Sequence, residues 1–487
     1  MSIKETTLEK YDMTIGIECH VQLATATKLF SGADNDARDK VPNTVINPID
    51  FGLPGMLPVL NRQAVNLAIK AGKALNSEIA RVSRFDRKHY FYPDLPKGYQ
   101  TTQMYHPIIV GGYVDAPLDD GSTVRVQLHH AHMEEDAGKL THYGDYSLVD
   151  LNRAGTPLIE IVSEPDIHSA AEAKAYATEL YRLMTYAGVT LGDLYHGNMR
   201  FDVNVSIAPK GATELGTRAE VKNLNSFKSV ERAADYEFER QVELLEKGER
   251  VVQETRGWDD AKQKTTSQRS KEDAQDYRYM PDADIPPIVL TEDEITEIQS
   301  TVPNLPGFYR DAWKDLGFDS TVMNALLISQ QTAQSVQRIL DRSDKDTARR
   351  VALWMLMAID ESKDGDTPID VYATPITDNQ FLALSDMVGN NELSSTAAKD
   401  VLVEMLRSSD NPRTIAERKN LIQVSDEGAI AVIVDEVLAD PSSAQAVKDL
   451  REGSEKVIGF LVGQVMKKSQ GKANPALAQK LIRERVE

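Results

Sequence analysis

The sequence contains a single cysteine, Cys19, among its 487 residues. One cysteine excludes an internal disulfide and a cysteine-rich zinc site. No uninterrupted apolar run is long enough to cross a bilayer, and the first residues lack the charged start and apolar stretch of a signal peptide. We therefore expect a cytoplasmic protein that makes no membrane contact.

Common nucleotide-binding and hydrolase motifs are also absent. The sequence has no Gly-x-x-x-x-Gly-Lys-Ser/Thr loop, no Gly-x-Gly-x-x-Gly after a strand, no His-Glu-x-x-His and no Gly-x-Ser-x-Gly. Phosphate chemistry in this chain would therefore require another architecture.

Positive charge is scarce, since the formal net charge is −20. This is the wrong sign for a protein that coats nucleic acid by neutralising phosphates. Residues 451–487 differ from the rest, with eight Lys or Arg and four Glu. This basic tail is either a phosphate-binding surface or a solvated helical face, and its charge alone favours the solvated face.

Roughly the first 290 residues contain short segments in which polar and apolar side chains alternate, as in strands, together with turns and a few helical segments. Helical periodicity in that part predicts helices at residues 61–75, 170–187 and 229–245. After a proline-rich exit, the sequence reads as helix from residue 291 onward, with breaks near residues 360–368 and 408–412.

This pattern predicts an α+β protein whose strands pair in an antiparallel sheet, followed by helices. We expect three domains: a catalytic domain at residues 1–293, a helical domain at residues 294–412 and a helical tail domain at residues 413–487.

The segment GIECHVQ, residues 16–22, contains the first candidate functional side chains. In a strand, Glu18, His20 and Gln22 share one face, and Cys19 points to the other. Carboxylates with at most one imidazole suit Mg²⁺ or Mn²⁺ better than zinc. An ordinary solvent-facing polar strand explains the same pattern, and on spacing alone it is the favoured interpretation.

Polar side chains recur in later strand-like segments. The segment HMEEDAGK, residues 132–139, has three consecutive carboxylates, which repel one another unless a cation or water screens them. If this segment is a straight strand, Glu135 points away from His132 and Glu134. A turn before Gly138 would break the alternation and could bring Glu135 to their face. Arg153 and Glu160 form a polar patch beside the apolar run at residues 156–159. Alternation elsewhere places further polar side chains on shared faces: Arg200 with Asp202, Asn204 and Ser206, and Glu220 with Lys222. Together they predict a sheet with one wall of charged and amide groups, which can hold a metal-bound triphosphate.

These segments resemble the B subunit of the glutamyl/aspartyl-tRNA amidotransferase family over nearly the whole chain, in order. The matching phrases are IGIECH (residues 15–20), FDRKHYFYPD (85–94), HMEEDAGK (132–139), YSLVDLNRAGTPLIEIVSEP (146–165), EVKNLNSF (220–227), DYRYMP (276–281) and GFLVGQVMKKSQGKANP (459–475).

The resemblance implies a glutamine synthetase-like sheet and a ligase that forms carbon–nitrogen bonds with glutamine as the amide nitrogen donor. In this family the B subunit uses Mg²⁺ and ATP to phosphorylate the side-chain carboxylate of Glu-tRNA(Gln) or Asp-tRNA(Asn). Ammonia from a glutaminase A subunit then gives the amide, and a small C subunit completes a heterotrimer.

The resemblance also implies roles for individual residues. Glu18, His20 and Glu135 match the family's metal site, with Asp202 as a further member, while Lys88 and Tyr90 match positions at the ammonia passage and reaction chamber. Glu135, Lys88 and Tyr90 are thus the expected catalytic residues. The polar sheet face adds candidate ATP-binding residues, and the tail adds candidate tRNA-binding residues. These are Arg153, Glu160, Arg200, Lys222 and Asn225 for ATP, and Lys467, Lys468 and Lys472 for tRNA.

The chain departs from the family in two places. Many members carry two cysteine pairs for zinc near the start, where this chain has residues 28–33 and 47–50 without cysteine, so no zinc is expected. At residues 196–199 the family more often has Glu-Gly-Ser-Leu, which leaves any role for His196 open.

The residues alone also leave two other functions open. One is a tRNA scaffold without catalysis, and the other is a free-standing ligase for a small amino acid.

Overall fold

A computed structural model describes residues 5–270, 276–361, 376–423, 427–469 and 473–486. The chain divides into two compact units, Met1–Tyr309 and Arg310–Glu487. The first unit is mixed α and β and the second is helical, as the sequence predicts. The three-domain division of the sequence stays a prediction.

The described residues form seventeen strands and sixteen α-helices. The strands are β1 Tyr11–Gln22, β2 Glu78–Ile79, β3 Val82–Ser83, β4 Asp86–His89, β5 Tyr99–Thr102, β6 Ile109–Val110, β7 Tyr113–Pro117, β8 Thr123–Glu135, β9 Lys139–Tyr143, β10 Tyr146–Asp150, β11 Pro157–Ser163, β12 Met199–Pro209, β13 Ala219–Leu224, β14 Glu254–Asp259, β15 Lys264–Ser270, β16 Met280–Pro281 and β17 Ile288–Val289. The helices are α1 Glu5–Leu8, α2 Arg62–Ala74, α3 Ala170–Tyr186, α4 Phe227–Glu246, α5 Glu292–Ser300, α6 Pro306–Trp313, α7 Ser320–Leu326, α8 Gln330–Arg342, α9 Lys345–Glu361, α10 Asp378–Gly389, α11 Ser395–Met405, α12 Pro412–Arg418, α13 Glu427–Leu438, α14 Ala444–Arg451, α15 Ile458–Lys468 and α16 Pro475–Val486.

A ten-stranded sheet dominates the first unit. Its order is β15-β14-β13-β12-β1-β11-β8-β6-β2, with β7 paired to β8. The strands that carry the predicted polar face, β8, β11, β1, β12 and β13, pair antiparallel as expected. The ladder between β13 and β14 is parallel, so the antiparallel prediction does not hold for the whole sheet.

Alternation along β1 divides the sheet into an apolar and a polar face. Ile15, Ile17 and Cys19 are at most 1% exposed and belong to the main core, as the sequence predicts. Helices α3 and α4 pack against each other and against the sheet, so they supply the other side of this core. The opposite face of β1 carries the polar side chains.

The three helices predicted in this unit are confirmed. Each begins at a residue whose side chain accepts a hydrogen bond from the first turn, Asn61 for α2, Ser169 for α3 and Ser226 for α4. Such caps satisfy backbone N–H groups that have no partner within the helix. Thr291 likewise caps α5 with a capping box, close to the predicted helical start.

Two smaller strand groups lie beside the large sheet. Strands β16, β4 and β5 form a three-stranded sheet, and β5 contacts the end of β8. Strands β9 and β10 form a separate hairpin. The small sheet thereby places residues of the FDRKHY segment next to the carboxylates of β8.

The second unit contains two helical cores. Helices α8 to α12 surround Val336, Met355 and Phe381, and helices α13 to α16 surround Val434 and Leu461, each fully buried. The predicted break at residues 408–412 lies between α11 and α12. The other, at residues 360–368, falls mostly outside the described residues. No helix in the described part of the chain is both long and apolar enough to cross a membrane.

Candidate functional site

The polar face of β1 bears Glu18, His20 and Gln22, as the sequence predicts. The neighbouring strands continue this face, because residues that pair directly across antiparallel strands point the same way. His20 pairs with Glu160 of β11, and Glu160 pairs in turn with His132 of β8. Three strands therefore bring their polar side chains together around His20.

His20, Glu134 and Glu160 form the tightest group, called the His20 cluster below. One ligand atom from each lies within 4.8 Å of the other two. His20 Nε2 is 3.5 Å from Glu134 Oε1 and 3.5 Å from Glu160 Oε2. Two carboxylates and one imidazole on three rigid strands suit a divalent cation such as Mg²⁺ or Mn²⁺.

The charges of the His20 cluster depend on one another. Burial alone would lower the pKa of His20, but its hydrogen bond to Glu160 and the charges of Glu134 and Asp202 outweigh burial and raise that pKa to about 9. Burial would raise the pKa of Glu160, but His20, His132 and Lys88 hold it well below its ordinary value. The imidazole is therefore protonated at neutral pH in the metal-free protein, and a bound cation would take the place of that proton.

Glu135 does not join the His20 cluster, in contrast to the grouping predicted from the sequence. Strand β8 runs without a turn through Glu135, so this side chain points to the same face as Met133. There Glu135 Oε1 accepts hydrogen bonds from Lys97 Nζ and, at 3.0 Å, from the backbone N–H of Thr101. The structure thus brings Glu134, in place of Glu135, to His20.

Glu18 and Asp202, also predicted as metal ligands, lie one step along the sheet. They pair directly across β1 and β12. Lys222 Nζ donates to Asp202 Oδ2 at 2.7 Å and lies 3.2 Å from Glu220 Oε1. Burial, followed by repulsion from Glu160 and Glu220, raises the pKa of Glu18. This second acidic group extends the polar face away from the His20 cluster.

Lys88 and Tyr90 border the same site. Burial would lower the pKa of Lys88, but neighbouring charges, chiefly Glu134, raise it. Its Nζ lies 4.9 Å from the centroid of the Tyr277 ring. Burial and the carboxylates around it, Asp94 and Glu134 first among them, raise the pKa of Tyr90. Both side chains therefore stay protonated at neutral pH beside the carboxylates.

Of the two predicted arginines, Arg200 pairs directly with His20 across β1 and β12, and Arg153 lies in the turn before β11. Arg200 donates to Asp136 at 2.9 Å, and the charge of Asp136 raises its pKa. Arg153 donates to the backbone oxygens of Ala137 and Gly138 and lies 3.4 Å from Asp136. Asn225 is exposed immediately after β13. The arginines are thus already held by protein partners, and their role in ATP binding stays a prediction.

The predicted tRNA-binding lysines belong to the second unit. Lys467 and Lys468 are exposed at the end of α15, where Lys468 lies 2.8 Å from Glu436. Lys472 lies outside the described residues.

Sequence reasoning did not assign roles to three residues that the structure places in the site. Glu134 completes the His20 cluster, His132 lies 3.5 Å from Glu160, and Lys97 is the partner of Glu135. Strict alternation along β8 would have selected Glu134. No comparable signal predicts the contact between Lys97 and Glu135, because it joins two segments through the fold.

Two family models match most of the chain. Residues 13–296 match the model of the GatB/GatE catalytic domain, and residues 336–486 match that of the GatB domain. The aspartyl/glutamyl-tRNA(Asn/Gln) amidotransferase B subunit of Synechococcus sp. is 42% identical over 496 residues, covering 100% of both chains. The proteins of the same name from Halorhodospira halophila (45%, 98% of this chain and 99% of the relative) and Caldanaerobacter subterraneus (43%, with the same coverage) are similar over almost their full length. With both domains matched and this identity over its full length, the chain belongs to the family of aspartyl/glutamyl-tRNA(Asn/Gln) amidotransferase B subunits.

Proposed function

We propose that this chain activates the side-chain carboxylate of Glu-tRNA(Gln), Asp-tRNA(Asn) or both, using Mg²⁺ and ATP. The His20 cluster is the observation that supports this most directly. A carboxylate is a poor electrophile, and phosphorylation turns one of its oxygens into a good leaving group. Attack by ammonia on the acyl phosphate then forms the amide and releases phosphate.

The donor set of the His20 cluster fits Mg²⁺, because its ligands are mainly hard oxygens. A bound Mg²⁺ would screen the charge of the triphosphate as the phosphoryl group transfers. Glu18 and Asp202 offer further oxygen ligands next to the cluster, and Lys222 and Lys88 supply positive charge on either side.

The chain's own residues would hold and orient both reactants. Lys88, beside Glu134 and Glu160, carries a proton and a positive charge that can stabilise the developing negative charge on the carboxylate oxygen. Glu135 and Lys97 form a polar pair at the end of β8, next to the small sheet of β4, β5 and β16. We propose that Lys88 and Tyr90 border the path of ammonia to the carboxylate.

The ammonia is proposed to come from a partner. The relatives are named as one subunit of an amidotransferase, and we propose a glutaminase A subunit and a small C subunit as partners in a heterotrimer. The single cysteine, Cys19, is fully buried in the core, and burial raises its thiol pKa well above the ordinary value. Cys19 is therefore unsuited to act as the nucleophile of a glutaminase.

The test is ADP formation by the reconstituted complex with Mg²⁺, ATP and a charged tRNA. We expect ADP release that requires either Glu-tRNA(Gln) or Asp-tRNA(Asn), and that falls by at least about a hundredfold in His20→Ala. Amidation without any requirement for ATP would contradict the proposal. Turnover with free glutamate in place of tRNA would favour a free-standing ligase, and wild-type activity of His20→Ala would favour a tRNA scaffold.

A further inference from the structure

A large cavity opens at the Gln22 end of the polar face. Its volume is about 680 Å³, within the range of sites that hold drug-sized ligands. Its rim is formed by the loop at residues 34–39 and by the segment at residues 191–198 between α3 and β12. Arg38 of the first segment and Asp193 of the second influence each other's pKa, so the two segments face each other.

The cavity is adjacent to the His20 cluster. Gln22 follows His20 by two residues on the same face of β1, a distance of about 7 Å along a strand. Asn198, which also lines the cavity, donates a hydrogen bond to Gln22 at 3.1 Å. At the other end of the face, Glu18 borders a second cavity of about 220 Å³. The cluster therefore lies between two cavities, as a reaction that joins two substrates requires.

The charges around the larger cavity favour a ligand that is rich in hydroxyl groups. Four carboxylates line it, from Asp34, Asp36, Asp39 and Asp150, together with three cations, from Arg38, Lys139 and Arg153. Arg38 already donates two hydrogen bonds to Asp36, at 2.8 and 2.9 Å. Carboxylates bind ribose hydroxyls well but repel the oxygens of a triphosphate.

One further feature is suited to a base. Tyr195 at the rim is 93% exposed, and an exposed aromatic ring beside a cavity is a platform on which an unpaired base stacks. Asn35 also borders the cavity, but its Nδ2 donates to the backbone oxygens of Leu23 and Thr25 and its Oδ1 is buried, so neither atom is offered to a ligand.

We propose that this cavity binds the 3′-terminal nucleoside of the charged tRNA, with the base stacked on Tyr195 and the ribose hydroxyls toward the carboxylates. The amino acid esterified to that ribose would then extend along Gln22 to the His20 cluster. This inference rests on the proposed function, since it assigns the position of its tRNA substrate.

The test compares the KM for charged tRNA with the KM for ATP in the reconstituted complex. Loss of one stacked base corresponds to about 1–3 kcal/mol, so we expect Tyr195→Ala to raise the KM for charged tRNA by roughly fivefold to a hundredfold. The KM for ATP should stay unchanged. Tyr195→Phe is the matched control, because it keeps the ring and should retain the wild-type KM.

Direct binding separates failure of this inference from failure of the proposed function. The probe is adenosine that carries glutamate on a 3′-amide, titrated into the complex in the absence of ATP; wild type should bind it and Tyr195→Ala should bind it at least about fivefold more weakly. Equal binding by both, or a raised KM for ATP alone, would overturn the assignment while leaving the proposed function intact. Wild-type complex that binds the probe but releases no tRNA-dependent ADP would instead overturn the proposed function.

Discussion

His20 lies 3.5 Å from each of two carboxylates, Glu134 and Glu160, whose charge a proton on His20 or a bound cation would neutralise. Its pKa of about 9 in the metal-free protein means that metal binding must displace a proton at neutral pH. We therefore predict that the affinity for Mn²⁺, measured by titration calorimetry, rises as the pH increases from 7 to 9. The His20→Gln variant, which has no titrating imidazole, should show little of this dependence. A wild-type affinity that is flat over this range would contradict the assignment of His20 as a ligand.

The raised pKa of His20 also predicts how the stability of the metal-free protein depends on pH. Because the folded pKa of His20 is raised above its ordinary value of 6.5, its contribution is complete below pH 6.5 and is lost as the pH rises through 9. We expect the free energy of unfolding in EDTA to fall by about 3 kcal/mol from pH 6.5 to 9.5 through this group. Urea unfolding at the two pH values measures it, with His20→Gln as the reference that lacks the effect.

Glu134 and Glu135 are neighbours in sequence with opposite environments. Glu135 is 2% exposed and is the counter-charge of Lys97, whereas Glu134 lies next to a second carboxylate, Glu160. Neutralising Glu135 would leave a largely buried ammonium unpaired, which costs about 3–5 kcal/mol. We predict that Glu135→Gln lowers the Tm by several degrees and that Glu134→Gln changes it much less. Thermal melts of the two variants in EDTA compare them, and the reverse order would contradict the orientation of β8.

Among the elements of the first unit, a buried ion pair fixes the long segment between β1 and α2. Lys28 is fully buried, donates to the backbone oxygen of Ala154 at 2.6 Å and lies 3.6 Å from Asp50. Asp50 also accepts a hydrogen bond from the hydroxyl of Ser31 at 2.9 Å. These contacts tie residues 28–33 to residues 47–50 within that segment.

We predict that Asp50→Ala destabilises the protein by about 3–5 kcal/mol, because it leaves the Lys28 ammonium buried without a counter-charge. Chemical denaturation measures the change. Asp36→Ala is the matched control, since its ion pair with Arg38 is largely exposed and contributes only about 0–1 kcal/mol. Equal effects of the two substitutions would show that the Lys28 pair does not hold this segment.

Some elements follow from local sequence and others do not. The alternation of GIECHVQ and the capping residues of α2, α3 and α4 predict the strand, its buried face and the helices, because these depend on neighbours within a few residues. The parallel pairing of β13 with β14 has no such local signal, since a helix separates the two strands in the chain. Lys97 and Glu135 likewise meet only because the small sheet contacts β8, so alternation predicts the direction of the Glu135 side chain but not its partner.

At the scale of the whole molecule, the proposed function requires a chain of net charge −20 to bind the polyanion tRNA. The exposed lysines at the end of α15 are the proposed contact, and Lys468 is partly neutralised by Glu436. We predict that Lys467→Ala weakens tRNA binding and reduces the slope of log affinity against log salt by about 0.7–0.9 per lost phosphate contact. Lys448→Ala, an exposed lysine of α14 beside Glu452, is the control. Filter binding at several salt concentrations measures both, and an identical slope for Lys467→Ala and wild type would exclude this contact.

The proposed activity depends above all on phosphorylation of a tRNA-bound carboxylate at the His20 cluster. Hydroxylamine traps an acyl phosphate as a hydroxamate, so it can be added to the reconstituted complex with ATP and charged tRNA but no glutamine. We predict that wild type forms hydroxamate on the tRNA in step with ADP and that Glu134→Gln forms at least about a hundredfold less. Hydroxamate formation by Glu134→Gln at the wild-type rate would contradict the role of the cluster.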